Sequence, residues 1–215
     1  MGKKAVLAGT GGLIGSKLLD IVLHHPDYSE ITILVRKKSK YNSNKLTTVI
    51  ADFDKLDDYE QHINGDAFFC CLGTTRKKTP DLSDYRKIDH DYPVKLAEIA
   101  KKNGMSQYHF VSSIGANPNS WSFYTKMKGE TEEDLKKVKM PCLHIYQPSV
   151  LTGKRRERRI MEKIIIKIMA VLNPFLIGGL RKYRSIPALT VARSMFKLSL
   201  KDEKGVFVHT SDKIN

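Results

Sequence analysis

A phenol and an ammonium stand four residues apart in Tyr124-Thr-Lys-Met-Lys128. On a helix that spacing brings both side chains to one face. A lysine ammonium beside a phenol favours the phenolate, so the tyrosine can exchange a proton near neutral pH. The ammonium can also hold sugar hydroxyls. Upstream, Gln107-Tyr-His-Phe-Val-Ser-Ser113 ends in two hydroxyls at what reads as a strand terminus. From there Ser113 can bind a carbonyl oxygen and steady it while hydride reaches the carbon. Ser113, Tyr124 and Lys128 are therefore the candidate catalytic residues for moving a hydride and a proton between a carbonyl and an alcohol. Such a reaction needs a hydride carrier.

The stretch VLAGTGGLIGSKLL, Val6 to Leu19, offers a place to hold one: four glycines lie between positions 9 and 15. Glycine weakens helices and strands alike, so the cluster is costly unless the backbone must do something unusual there. A turn from a first strand into a first helix gives the reason. It must bend sharply, let a pyrophosphate touch main-chain amides, and let the helix pack close to the strand. Each task excludes a Cβ. The spelling is G-x-x-G-x-x-G on Gly9, Gly12 and Gly15, with Gly11 added; Ile14 takes the last place of the commoner G-x-G-x-x-G.

After a second apolar run, Ile31-Thr-Ile-Leu-Val35, come Arg36, Lys37 and Lys38. An acidic residue there would hydrogen-bond an adenosine ribose. Cations favour a 2′-phosphate instead, because charge-assisted bonds to phosphate are strong. The expected cofactor is NADP(H) in preference to NAD(H).

These residues need a scaffold that gathers them, and the hydrophobic pattern supplies it. Short β-branched or apolar runs (KKAVLAG, ITILVR, LTTVIADF, DAFFCCLG, QYHFVSS, CLHIYQPSV) alternate with helical spacings at Leu13–His25, LDDYEQHI, HDYPVKLAEIAKKNG and YTKMKGETEEDLKKV. Such alternation means parallel strands joined by helical crossovers, an α/β doubly wound sheet over about the first 150 residues. After Leu151 the rhythm changes. An amphipathic helix over 156–172, a loop, a helix at ALTVARSMFKLSL and a short strand at GVFVH follow. Residues 151–215 are too few for a second domain, so the chain reads as one domain, 1–215, with this segment capping the substrate side of the sheet.

The totals exclude several classes. At 215 residues, 41% apolar, the chain is globular. Its longest apolar tract, Ile160 to Leu180, is broken by Glu162, Lys163, Lys167 and Asn173-Pro174, which argues against a membrane span. Three cysteines give neither a disulfide framework nor metal-ligand spacing, and Cys70-Cys71 reads as core. With no export leader, these thiols suggest a reducing cytoplasm. The net charge of +14 is spread along the chain apart from the knot Lys154–Arg159. No nucleic-acid motif accompanies it, so nucleic acid is not an expected partner. The basic amphipathic helix over 156–172 suits a hydrophobic substrate pocket or contact with an anionic membrane surface. The oligomeric state stays open.

Together the glycine turn, the serines and Tyr-x-x-x-Lys resemble the atypical branch of the short-chain dehydrogenase/reductase superfamily. More closely, the chain resembles the HIV-Tat-interacting-protein oxidoreductases and their bacterial relatives, most specifically in DFDKLDDYEQHINGDAFFCCLGTTRKK, with VSSIGA, FYTKMKGETE and YRSIPALTVARSMF in support. The resemblance implies a Rossmann fold with NADP(H), and Gly9, Gly11, Gly12, Leu13 and Ile14 around the pyrophosphate. It implies Arg36 and Lys37 at the 2′-phosphate, Asp52 and Phe53 near adenine, and Leu72, Gly73 and Thr74 along the cofactor. It sets Tyr124 and Lys128 at the nicotinamide ribose, with the loop from Leu151 covering the nicotinamide and Arg159 reaching the cofactor. Two departures stand out: Ile14 replaces a hydroxyl residue, and Gln147 replaces the arginine usual before the proline. Some members of such families act mainly as regulators, so a dinucleotide-dependent regulator with little turnover is the rival to an enzyme.

Overall fold

The computed structural model describes residues 2–153 and 173–215. Seven strands form one sheet: β1 (Lys3–Ala8), β2 (Tyr28–Val35), β3 (Leu46–Ile50), β4 (Ala67–Cys70), β5 (Gln107–Val111), β6 (Cys142–Gln147) and β9 (Gly205–Thr210). Their spatial order is β3-β2-β1-β4-β5-β6-β9, and every neighbouring pair is parallel. A two-stranded parallel pair, β7 (Leu151–Thr152) and β8 (Ile186–Pro187), stands apart. The order reverses between β1 and β4, which opens a crevice at the carboxyl ends of the strands. All ends of a parallel sheet point one way, so residues following β1, β2, β3, β4, β5 and β6 share one rim.

Central strands of such a sheet are covered on both faces and need continuous apolar runs. Ala5 to Ala8 and Ala67 to Cys70 are buried throughout. Alternate side chains feed two cores. Val6, Phe68, Phe110 and Ile145 meet Leu56, Leu96, Ala100 and Leu135 on one face. Leu7, Ile33, Phe69 and Tyr146 meet Leu18, Val22, Val191 and Met195 on the other. The first core is roofed by α3 (Tyr92–Lys102), α4 (Phe123–Val138) and a 3-10 helix, Phe53–His62. The second is roofed by α1 (Leu13–His24) and α5 (Ala188–Ser199), which pack on each other.

Two regions differ from the sequence reading. The helix expected from His90 starts earlier, as α2 (Leu82–Arg86) followed by a π-helical turn, Lys87–Asp91, that runs into α3. Asp81 caps α2 by accepting from the Ser83 and Asp84 N–H groups. Pro93 looks like a helix start because proline suits a first turn. Here the helix continues through it. Pro93 has no N–H to give the Asp89 carbonyl, and the turn before it widens, with Tyr92 N–H bonding the Lys87 carbonyl. The freed Asp89 carbonyl lies 3.2 Å from the Thr131 hydroxyl, which it shares with the Met127 carbonyl at 2.8 Å. The second difference lies at the carboxyl-terminal region. Beyond any capping role, it contributes the sheet's seventh strand and a helix of the second core. The amphipathic helix read over 156–172, with its membrane-contact alternative, and Arg159 lie outside the described residues.

Candidate active site

The glycine turn gives different reasons for its glycines. Gly9 has φ +86°, and a Cβ on it would lie 2.3 Å from the Cys71 carbonyl oxygen at the end of β4. A Cβ on Gly15 would lie 2.3 Å from the Gly9 carbonyl oxygen, so helix and turn touch there. Gly11 is different. Its φ is not positive, it is exposed, and an added Cβ would meet nothing within 4 Å. Neither strain nor packing explains a glycine at that place, and the turn is open there. Gly12 is the N-cap of α1, no side chain caps the helix, and its first turn carries no acidic residue. The first-turn amides of a helix lack intrahelical acceptors and form an anion site. A dinucleotide pyrophosphate fits this cradle. Leu13 lies against Gly153, the residue after β7, so that residue packs beside the turn. The Ile14 side chain, in place of a hydroxyl residue, is buried in the second core.

Along the rim, Arg36 and Lys37 follow β2, exposed and without a carboxylate partner among the described residues. Lys38, Ser39, Lys40, Tyr41, Asn42 and Thr48 line an open cleft of about 420 Å³, and neither Arg36 nor Lys37 is part of its lining. Asp52 and Phe53 each have structural work: Asp52 caps the 3-10 helix through the Asp54 N–H, and Phe53 is buried against Tyr92, ring centroids 5.6 Å apart. Leu72, Gly73 and Thr74 follow β4. The Thr74 hydroxyl meets that of Thr79 at 2.8 Å, and its carbonyl accepts from the Tyr85 hydroxyl at 3.3 Å. Next to it, the Thr75 hydroxyl oxygen is buried and has no hydrogen-bond partner among the described residues, so a water or a ligand would complete it.

Past β5 the two serines separate. Ser112 is buried and donates to Glu132, which also accepts from the Gln147 amide at 3.0 Å to each oxygen. Gln147 thus anchors the β6 end without the arginine. Burial pushes the Glu132 carboxyl above the usual range, against the lowering by Ser112 and Gln147. Among the described residues Ser113 Oγ makes only a 3.4 Å contact, to the Ile114 carbonyl. The following loop is held close to α4, because a Cβ on Gly129 would lie 2.3 Å from the Asn117 carbonyl carbon. This brings the Ser113 loop against the helix that carries Tyr124 and Lys128.

Tyr124 is exposed, near the start of α4. Lys128, one turn on, is buried, and its ammonium sits 2.9 Å from Asp89 Oδ1 and 4.9 Å from the centre of the Phe110 ring. Burial opposes its charge, but Asp89 leads the charges that outweigh this and hold the lysine above its ordinary value. The other Asp89 oxygen accepts from the Thr74 N–H at 2.7 Å. Sequence reasoning missed Asp89, because an Asp within Lys-Ile-Asp-His-Asp carries no motif and the π turn that aims it inward is invisible in the pattern. Cys70 and Cys71 are raised by burial, so the thiols stay protonated and serve as core. Among the described residues no group of His, Cys, Asp and Glu could hold a metal, and no helix is long and apolar enough to cross a membrane.

Known proteins match this arrangement. A sequence model of the NAD(P)H-binding family matches residues 9–163. Protein HTATIP2 of Rattus norvegicus is 33% identical over 197 residues, 90% of this chain and 79% of that protein. The mitochondrial protein FMP52 of Coccidioides immitis is 31% identical over 219 residues, 95% of this chain and 88% of that one. Among solved structures, a UDP-N-acetylglucosamine 4-epimerase from Methanobrevibacter ruminantium covers 97% of this chain and 76% of its own, with TM-score 0.73 and 21% identity. The Bordetella bronchiseptica enzyme WbmG, in complex with NAD, has TM-score 0.70 at 13% identity, over 98% of this chain and 73% of its own. At those identities the solved structures show the fold alone. The cytoplasmic expectation is corrected by the fungal relatives, which are mitochondrial by name. Free thiols mark a reducing environment without saying which compartment provides it. The glycine cradle, the parallel sheet and these relatives agree: the chain belongs to the NAD(P)H-binding family, as an atypical short-chain-dehydrogenase-like protein with a Rossmann fold.

Proposed function

We propose that the protein is an NADP(H)-dependent oxidoreductase acting on a small carbonyl compound or the corresponding alcohol. The observation that supports this reading is the single rim that holds the open glycine turn at Gly11 and the Tyr124–Lys128 pair on α4. When bound, the nicotinamide supplies or accepts the hydride. Gly11, Gly12 and the first-turn amides of α1 would hold the pyrophosphate, and Arg36 with Lys37 would hold a 2′-phosphate. Leu72, Gly73 and Thr74 would line the rest. Ser113 orients the substrate oxygen. Tyr124 gives that oxygen a proton during reduction or removes one during oxidation. Lys128 lies one turn from Tyr124, where its ammonium stabilises the phenolate and can donate to ribose hydroxyls.

Titration with NADPH and with NADH, followed by carbonyl compounds and loss of nicotinamide absorbance, tests the reading. NADPH is expected to bind more tightly, and replacing Arg36 and Lys37 by serine is expected to remove that preference. Tyr124→Phe is expected to keep NADPH affinity while turnover falls by about 10²–10⁴-fold. Unchanged turnover in that variant overturns Tyr124 as the acid. NADPH binding with no turnover of any carbonyl overturns the enzyme and leaves the dinucleotide-dependent regulator.

A further inference from the structure

A carboxylate and an ammonium removed from water cost more than an apolar pair of the same shape, so a buried ion pair calls for a reason beyond stability. The Asp89 and Lys128 side chains are 2% and 3% exposed. Helix α4 could dock through Leu135 and Met127, both buried, without them. We propose that Asp89 is a positioning residue that offsets the Lys128 charge felt by Tyr124 and ties the pair to the Leu72–Thr74 strip. The proposal rests on the oxidoreductase reading for the use of the pair, and on geometry for its existence.

Three contacts define the arrangement. Asp89 Oδ1 meets the Lys128 ammonium at 2.9 Å, Oδ2 accepts from the Thr74 N–H at 2.7 Å, and the Asp89 carbonyl lies 3.2 Å from the shared Thr131 hydroxyl. The residue therefore links the strip after β4 to α4 at two points one turn apart. A Cβ on Gly73 would lie 3.4 Å from Oδ1, so the strip passes directly over the carboxylate. The π turn supplies this position, and Pro93 frees the carbonyl that completes it.

The titratable and charged groups around the pair come from five elements. Tyr124 and Glu132 face Lys128 from α4, Asp89 from the π turn, and the Cys70 thiol from β4; Tyr85 of α2 and Arg76 of the loop between β4 and α2 lie beyond. Asp89 is the only one of these in direct ionic contact with the ammonium among the described residues. Its negative charge cancels much of the pull that a lone lysine exerts on a phenol. The phenol then feels a smaller net pull than a lone lysine would exert, in either direction of the reaction.

The test reads Tyr124 in the protein without cofactor or substrate, by NMR of ¹³C-labelled tyrosine with Tyr124→Phe to assign the signal. Asp89→Asn is expected to lower the Tyr124 pKa by about one unit, since one opposing charge has gone. Lys128→Met is expected to raise it, and Asp89→Asn combined with Lys128→Met to return it close to the wild-type value. A merely structural Asp89 would lower the melting temperature and leave this titration where it is, and that result overturns the proposal. Where Asp89→Asn does not fold, Lys128→Met against the double variant reads the same charge, and equal titrations in the two overturn it. The signal does not depend on turnover, so an inactive protein with the expected shifts sinks the oxidoreductase reading alone.

Discussion

Gly11→Ala separates what the glycine turn does for the fold from what it does for a ligand. The new methyl group would meet no heavy atom within 4 Å, and the backbone there has no positive φ. Alanine also narrows the unfolded ensemble, which stabilises a compatible site by about 0.4–1 kcal/mol. For a chain of this size that is a rise in melting temperature of about 1–4 °C. The same methyl fills the space through which a pyrophosphate would approach the amides of α1. Losing one charge-assisted hydrogen bond costs about 1.5–3 kcal/mol, or roughly 10- to 150-fold in NADPH dissociation constant. Gly9→Ala is the control. Its Cβ would sit 2.3 Å from the Cys71 carbonyl oxygen at φ +86°, so the fold itself gives way, by about 2–4 kcal/mol. Differential scanning fluorimetry and titration of NADPH fluorescence read both effects. A Gly11→Ala protein that binds NADPH as tightly as wild type refutes the cradle. One that melts as early as Gly9→Ala refutes the claim that Gly11 is free of structural duty.

Two further outcomes concern pH. His109, His144 and His209 stack across β5, β6 and β9, and burial lowers all three, His144 to about 4. The unfolded chain takes up these protons near pH 6.5 and the fold does not, so their contribution is complete above that pH and drains as pH falls toward 4. The His144 share is about 3 kcal/mol. Urea midpoints at pH 7 and 4.5 measure it, and His144→Gln is expected to flatten the profile; an unchanged profile refutes the assignment. Glu132 has the opposite sign: its folded pKa is raised, so its ionised form weakens the fold as pH climbs through that value. Gln147→Arg supplies the missing cation and brings the pKa down. Stability at pH 7 is then expected to rise by about 1–2 kcal/mol, with no gain at pH 4; equal melting shifts at both pH values would contradict this.

The scaffold was legible because its signals are local. Buried runs such as Ala67–Cys70 and the glycines of the first turn announce a parallel sheet and its first crossover, since each residue there meets a constraint set within a few positions. Tyr124 and Lys128 were legible for the same reason, being one helical turn apart. Asp89 was not. Its task is defined by Thr74 and Thr131, distant in sequence, and by a widened turn that exists because Pro93 cannot donate a hydrogen bond. Gln147 was legible as a departure but not as a solution, because its partner Glu132 is recognisable only once α4 lies beside β6. The place of β9 in the main sheet was also hidden, for a short apolar run does not say which strand it will join.

The stitching of chain start to chain end has a consequence for how the molecule forms. Lys3 Nζ donates to the Ser199 carbonyl at 2.8 Å, the Tyr28 hydroxyl donates to Ser199 Oγ at 2.7 Å, and α5 lies along α1. A ribosome delivers the first crossover long before its cover, leaving Leu18, Val22 and Tyr146 wet until residue 199 and its neighbours emerge. Loops that long close slowly, and apolar surface left waiting invites association with other chains. Nascent chains stalled short of α5 should therefore engage holding chaperones, and release should coincide with synthesis of that helix.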